Sequence, residues 1–138
     1  MIRAVITALL LTLASPAPDT PDPENWSRFR GPNGSGISTS TRLPSEFGPD
    51  KNVVWKTELP FGHSSPALTR DRLFLTAARG EKLVTICLDR HTGKILWERD
   101  APRPRLEKLD SRNGPAGPTP ATDGRYVYIF FADRKSVV

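Results

Sequence analysis

The chain is poor in cysteine, histidine and long apolar runs, and each shortage excludes something. A single Cys among 138 residues rules out an internal disulfide framework. That residue, Cys87, falls inside an apolar run and reads as a buried, unreactive thiol. The two His residues, His63 and His91, stand far apart and with one Cys give no zinc-ligand spacing. Asp19, Asp22 and Glu24 lie close together but lack a calcium-loop pattern, so no metal site is expected. No Gly-Lys-Ser/Thr occurs. The glycines at 31, 34 and 36 beside Arg28 and Arg30 therefore fail as a phosphate loop, with no strand before them and no helix after. No apolar run approaches the roughly 20 residues a membrane-spanning helix needs. The net charge of +5 is modest and scattered. Arg99, Arg103, Arg105 and Lys108 alternate with Pro102, Pro104, Glu107 and Asp110 and carry no stacking aromatics, which argues against nucleic acid as a partner.

Fourteen Pro and ten Gly, with no apolar pattern of helical period, indicate an all-β, loop-rich protein. Residues 1–14 read as a secretory signal peptide: Arg3 precedes the apolar run 4–13, and Thr12-Leu13-Ala14 offers small residues for cleavage. No Cys follows for lipid attachment, so the expected location is secreted or periplasmic. Residues 15–25 are rich in Pro, Asp and Thr and read as a disordered linker. Residues 26–51 read as an irregular segment anchored by Trp26 and Phe29, with glycines making consecutive turns.

The most legible stretch is 83–97. Leu83, Val84, Ile86 and Leu88 lead into Asp89-Arg90-His91-Thr92-Gly93, and Lys94-Ile95-Leu96-Trp97 leads away. Asp89 is suited to cap the turn through its side chain, and Gly93 to supply a positive φ, so a β-hairpin is expected. Further strands are expected at 52–59, 64–68 and 72–77, joined by short polar turns at 69–71 and 78–81. Trp55 and Trp97 stand 42 residues apart (97 − 55), about the length of one four-stranded repeat unit. The pattern then restarts. At an offset of 54, Pro66 meets Pro120, Leu73 meets Val127, Phe74 meets Tyr128 and Leu75 meets Ile129. The surplus is the polar insertion 101–116. After Phe131, residues 132–138 are expected to form neither a turn nor a closing strand.

Cys87-x-Asp89-x-x-Thr92-Gly93-x-x-x-Trp97 resembles the tryptophan-docking motif of pyrroloquinoline quinone-type (quinoprotein-like) β-propeller repeats, with Cys where Ala is usual. The run Trp26-x-x-Phe29-Arg30-Gly31-Pro32-x-Gly34-x-Gly36 is similar to the opening of secreted members of that family. The resemblance implies four-stranded antiparallel blades: a blade at 60–99, an insertion at 101–116 and a partial blade at 117–131, within a partial propeller spanning 52–138. It assigns Asp89, Thr92, Gly93 and Trp97 a structural role in closing the blade. A ring needs about four to eight blades, so the chain reads as the N-terminal fragment of a longer protein.

His63-Ser64-Ser65 with Asp71 or Asp89 suggests a hydrolase, but no Gly-x-Ser-x-Gly elbow is present and His91 lies in a turn. No catalytic residue is assigned. If the chain binds something, His63, Ser64, Asn113 and Thr119 are the candidates, because they precede or begin the inner strands that line a propeller's channel mouth. The expected function is a non-catalytic binding or scaffolding module that takes a protein or polymer partner through a ring face. The resemblance also leaves open a periplasmic pyrroloquinoline quinone-dependent dehydrogenase. That cofactor is possible only in a longer chain, where a vicinal Cys pair and acidic metal ligands would supply its site. A carbohydrate-associated propeller is a third reading, with Tyr126 and Tyr128 the aromatics to watch.

Overall fold

The computed structural model describes residues 25–101, 113–131 and 135–137. It is all-β. Strands β1 (Ala67–Leu68), β2 (Arg72–Arg79), β3 (Lys82–Asp89) and β4 (Ile95–Ala101) form a four-stranded antiparallel meander in chain order. Strands β5 (Ala121–Thr122), β6 (Val127–Phe131) and β7 (Lys135–Val137) form a second sheet. The expected signal peptide, linker and most of the insertion lie outside the described residues.

β2 and β3 are built by alternation. Leu73, Leu75 and Ala77 pair with Leu88, Ile86 and Val84 on one face, and with Ile95 they make one apolar cluster. The other face pairs Phe74 with Cys87 and Ala78 with Leu83. There Leu83, Ala78 and Ala101 pack against Ala116, Ile129 and Phe131, so the second sheet lies on this face. The turn between β2 and β3 is shorter than expected, just Gly80-Glu81, because Arg79 already pairs with Lys82. Gly80 has φ +61°, the positive first position of a tight hairpin turn.

A bulge decides where Trp97 goes. Leu88 pairs with Ile95 but Cys87 pairs with Trp97, leaving Leu96 as the extra residue. Without it Ile95 and Trp97, two positions apart, would share a face. With it, Ile95 joins the Leu73 face while Trp97 lies opposite, 6.1 Å from Phe74 between ring centres. The outer edge of β4 carries Glu98, Arg99 and Asp100, and the ion pairs Arg79–Glu98 (3.0 Å) and Lys82–Asp100 (2.8 Å) cross the sheet. Charge of this kind discourages edge-to-edge pairing.

Three expectations about strands need correcting. Residues 52–59 alternate as a strand would, but they form no strand. They dock through side chains, with Trp55 Nε1 donating to Arg90 O (2.9 Å) and Thr57 Oγ1 to Gly93 O (2.7 Å). The inner strand expected at 64–68 shrinks to Ala67–Leu68. Pro66 has no N–H to give, and the Ser64 hydroxyl takes over the ladder by donating to Thr76 O (2.9 Å) and accepting from Thr76 N (3.0 Å). Conversely, 135–137 forms β7 on β6, where the unpaired backbone groups of the β6 edge find partners.

Candidate functional site

The 89–97 motif is a self-contained capping device. Asp89 Oδ1 accepts from His91 N (3.0 Å), Thr92 N (2.8 Å) and Thr92 Oγ1 (2.9 Å). The Thr92 bonds, with help from the His91 amide, hold the carboxyl below the usual carboxylate range. Gly93 N donates to Asp89 O and Asp89 N to Lys94 O, closing the loop with Gly93 at φ +70°. The indole of Trp55 lies against Gly93, where a Cβ would collide with it. Asp89, Thr92 and Gly93 therefore shape a seat for the 55–57 segment, while Trp97 faces the second sheet.

Of the four channel-mouth candidates, three come together along one seam. His63 N donates to Ala116 O (3.0 Å), and His63 Nδ1 accepts from Gly114 N (3.2 Å). Ser64 is committed to Thr76, as described above. Thr119 Oγ1 accepts from Ser65 N (3.2 Å), and Thr76 Oγ1 donates to Pro118 O (3.2 Å). Asn113 lies exposed at the end of the described segment beside Gly114. His63, Thr119 and Thr76 thus stitch residues 114–119 to the first sheet, while Ser64 ties the start of the inner strand to β2.

At the other end of β1 the two sheets part around a cleft of about 630 Å³. Its rim comes from the equivalent turns 69–72 and 123–126, carrying Arg70, Asp71, Arg72 and Arg125. Phe74, Trp97, Tyr126 and Val127 supply its apolar wall. Each turn is locally braced. Arg72 N donates to Thr69 Oγ1 (3.2 Å), and Asp123 Oδ1 accepts from Arg125 N (2.9 Å) and Tyr126 N (2.7 Å). The Tyr126 amide and the Tyr128 hydroxyl, the latter donating to Oδ2 (2.8 Å), hold the Asp123 carboxyl down. The same bond pushes the Tyr128 phenol up. Sequence reasoning missed these arginines because each is unremarkable within its own turn. Superposing the two repeats would have placed both basic turns at one location.

Among the described residues no group of three or more His, Cys, Asp or Glu could hold a metal ion, and no helix is long and apolar enough to cross a membrane. Cys87 is fully buried in β3, and burial pushes its thiol up against a smaller opposing pull from Arg72. It is alone, so these residues do not fit the quinone site that the family resemblance implies, and no chemistry through that cofactor is assigned to them. No family model, curated protein or solved structure matches the chain.

Proposed function

We propose that the chain is the opening part of a secreted quinoprotein-like β-propeller, a binding or scaffolding module that meets a protein or polymer partner through a ring face. The observation that carries this reading is the repeat made physical. Ala67 pairs with Phe74 and Leu68 with Leu73 in the first sheet; Ala121 pairs with Tyr128 and Thr122 with Val127 in the second. Both pairings shift by the same 54 positions that separate Ser65 from Thr119. Two sheets of common register, stacked face to face and joined at their inner strands, are the minimal unit of a radial array. The polar seam at 63–65 and 114–119 is spent on joining the units, so the partner-binding surface belongs to the ring rather than to those side chains.

The test is to read the genomic DNA past the codon for Phe131. Further Asp-x-x-x-Gly-x-x-x-Trp repeats in frame, without a Cys pair or acidic metal ligands, support the module. The same repeats with those residues favour the dehydrogenase instead. A stop codon after Val138, with a stable monomer of 138 residues, would overturn the propeller reading.

A further inference from the structure

We propose that Asn113 is a self-modification site, its side-chain amide converted to a carboxylate by the backbone nitrogen of Gly114 with His63 as general base. The proposal needs neither a ring nor a partner, so it stands independently of the reading above.

Asparagine followed by glycine is the dipeptide in which a backbone nitrogen most readily reaches the side-chain carbonyl carbon, because glycine has no Cβ to obstruct it. The chain carries that dipeptide twice, at 33–34 and 113–114, and both asparagines are exposed. What differs is the partner of the glycine amide. Gly34 N donates to Gly31 O (3.1 Å), a carbonyl without basic character. Gly114 N donates to His63 Nδ1 (3.2 Å), a separation within reach for proton abstraction. An amide N–H can only donate, so this ring nitrogen carries no proton and turns its lone pair toward the attacking atom.

The imidazole is held in place. His63 N donates to Ala116 O (3.0 Å), and the Phe61 ring stands edge-on to the imidazole, 4.7 Å between centres. A Cβ at 114 would lie 3.0 Å from Phe61 and 3.2 Å from His63 Nδ1, so a side chain there would crowd the base. Gly114 is buried and His63 exposed. The nucleophile is thereby shielded from solvent, while the base still exchanges protons with water.

In the first step Gly114 N attacks Asn113 Cγ and its proton passes to His63 Nδ1. The tetrahedral centre then expels the side-chain nitrogen as ammonia, with the proton returned through water. A Cγ–N bond to Gly114 has replaced the Cγ–Nδ2 bond, leaving a succinimide ring and a neutral imidazole. Water adds to either ring carbonyl and opens one C–N bond, giving aspartate or isoaspartate at 113. The isoaspartate route lengthens the backbone by one methylene at the head of the 114–119 seam.

The experiment incubates the full 138-residue chain at neutral pH and follows both sites by peptide mapping with mass spectrometry. Asn33 in the same sample is the internal reference. In the folded chain Asn113 should convert at least about tenfold faster than Asn33, a modest share of the ~10²–10⁴-fold that a positioned base supplies. It should also convert faster than Asn113 in urea, and yield isoaspartate as well as aspartate. His63→Gln keeps an acceptor for the Gly114 amide but removes the base. It should slow position 113 about tenfold or more, with position 33 and the far-UV spectrum unchanged. Slower conversion of 113 in the folded chain than in urea would show that the His63 contact protects the amide, and overturns the proposal whether or not the variant folds. An equal or higher rate at 113 in His63→Gln sinks it as well. Aspartate alone as product would mean direct hydrolysis without the Gly114 nitrogen, and is equally fatal.

Discussion

Ser65 and Thr119 occupy the same position in successive repeats, 54 residues apart, and they touch: the amide of one donates to the hydroxyl of the other at 3.2 Å. A residue meeting its own counterpart is what face-to-face stacking of repeated sheets produces at the inner strands. The bond therefore reports the relation between the sheets rather than the fold of either one.

That seam should be measurable as stability. Thr119→Val removes the acceptor for Ser65 N, and Ser64→Ala strips both partners from the backbone of Thr76. Leaving part-buried backbone groups unmet costs ~1–3 kcal/mol. Ser64→Ala should therefore cost more than Thr119→Val in urea denaturation. Equal stability of both variants and the parent would mean that water replaces these bonds freely.

Gly93→Ala meets a positive φ and two neighbours, the indole of Trp55 and the Thr57 hydroxyl. A left-handed backbone alone costs ~1–3 kcal/mol for a side-chain-bearing residue. Adding Trp55→Ala should relieve the indole clash but neither the Thr57 contact nor the backbone term, giving a non-additive cycle. Additive losses would show that Trp55 does not rest on the turn in solution.

Deleting Leu96 should turn the bulge into a regular ladder in which Ile95 still meets Leu88 and Trp97 still meets Cys87, so Trp97 keeps its face against Phe74. The expected result is a near-ultraviolet spectrum and tryptophan emission close to those of the parent, with strand content retained. Loss of near-ultraviolet ellipticity with a red-shifted emission would mean that the bulge itself, and not the pairing with Cys87, sets the aim of Trp97.

Two carboxyls couple the fold to acid. Asp89 and Asp123 are both held below their ordinary range by bonds that need the charged form, and their hydroxyl and amide partners exist only in the folded turns. A lowered folded value means that the stabilisation is present above the unfolded value, ~3.9 for Asp. It is lost as pH falls through the folded one. Stability should thus drop below about pH 4, and Asp89→Asn with Asp123→Asn should flatten that limb. An acid limb unaltered by both changes would assign it to other groups.

How much of this was legible depended on whether a feature was local. The 83–97 hairpin was readable because alternation, a capping Asp and a Gly all sit within one stretch. The offset of 54 was readable because the same turn and the same alternation occur twice. The facing of Trp97 was not, since one extra residue in β4 inverts it and Leu96 resembles any other strand residue. Residues 52–59 have the pattern of a strand, but a pattern cannot show whether a neighbouring edge is available to pair with. The opposite error occurred at 135–137, where an available edge gathers in a short segment with little pattern of its own. The basic cleft depends on two turns from different repeats meeting in space, which neither turn announces alone.

The opening segment adds a consequence in time. Trp26 exchanges both backbone bonds with Leu68, at 3.0 and 2.8 Å, and the next carbonyl, Ser27 O, accepts from Thr122 N at 2.8 Å. Loop closure over such separations is slow, and contacts of this kind form after the local hairpins are made. A ribosome delivers residue 26 long before residue 122 exists, so the segment that emerges early has to wait, unpaired, for a strand still to be synthesised. The part of the chain made first is the part fixed last.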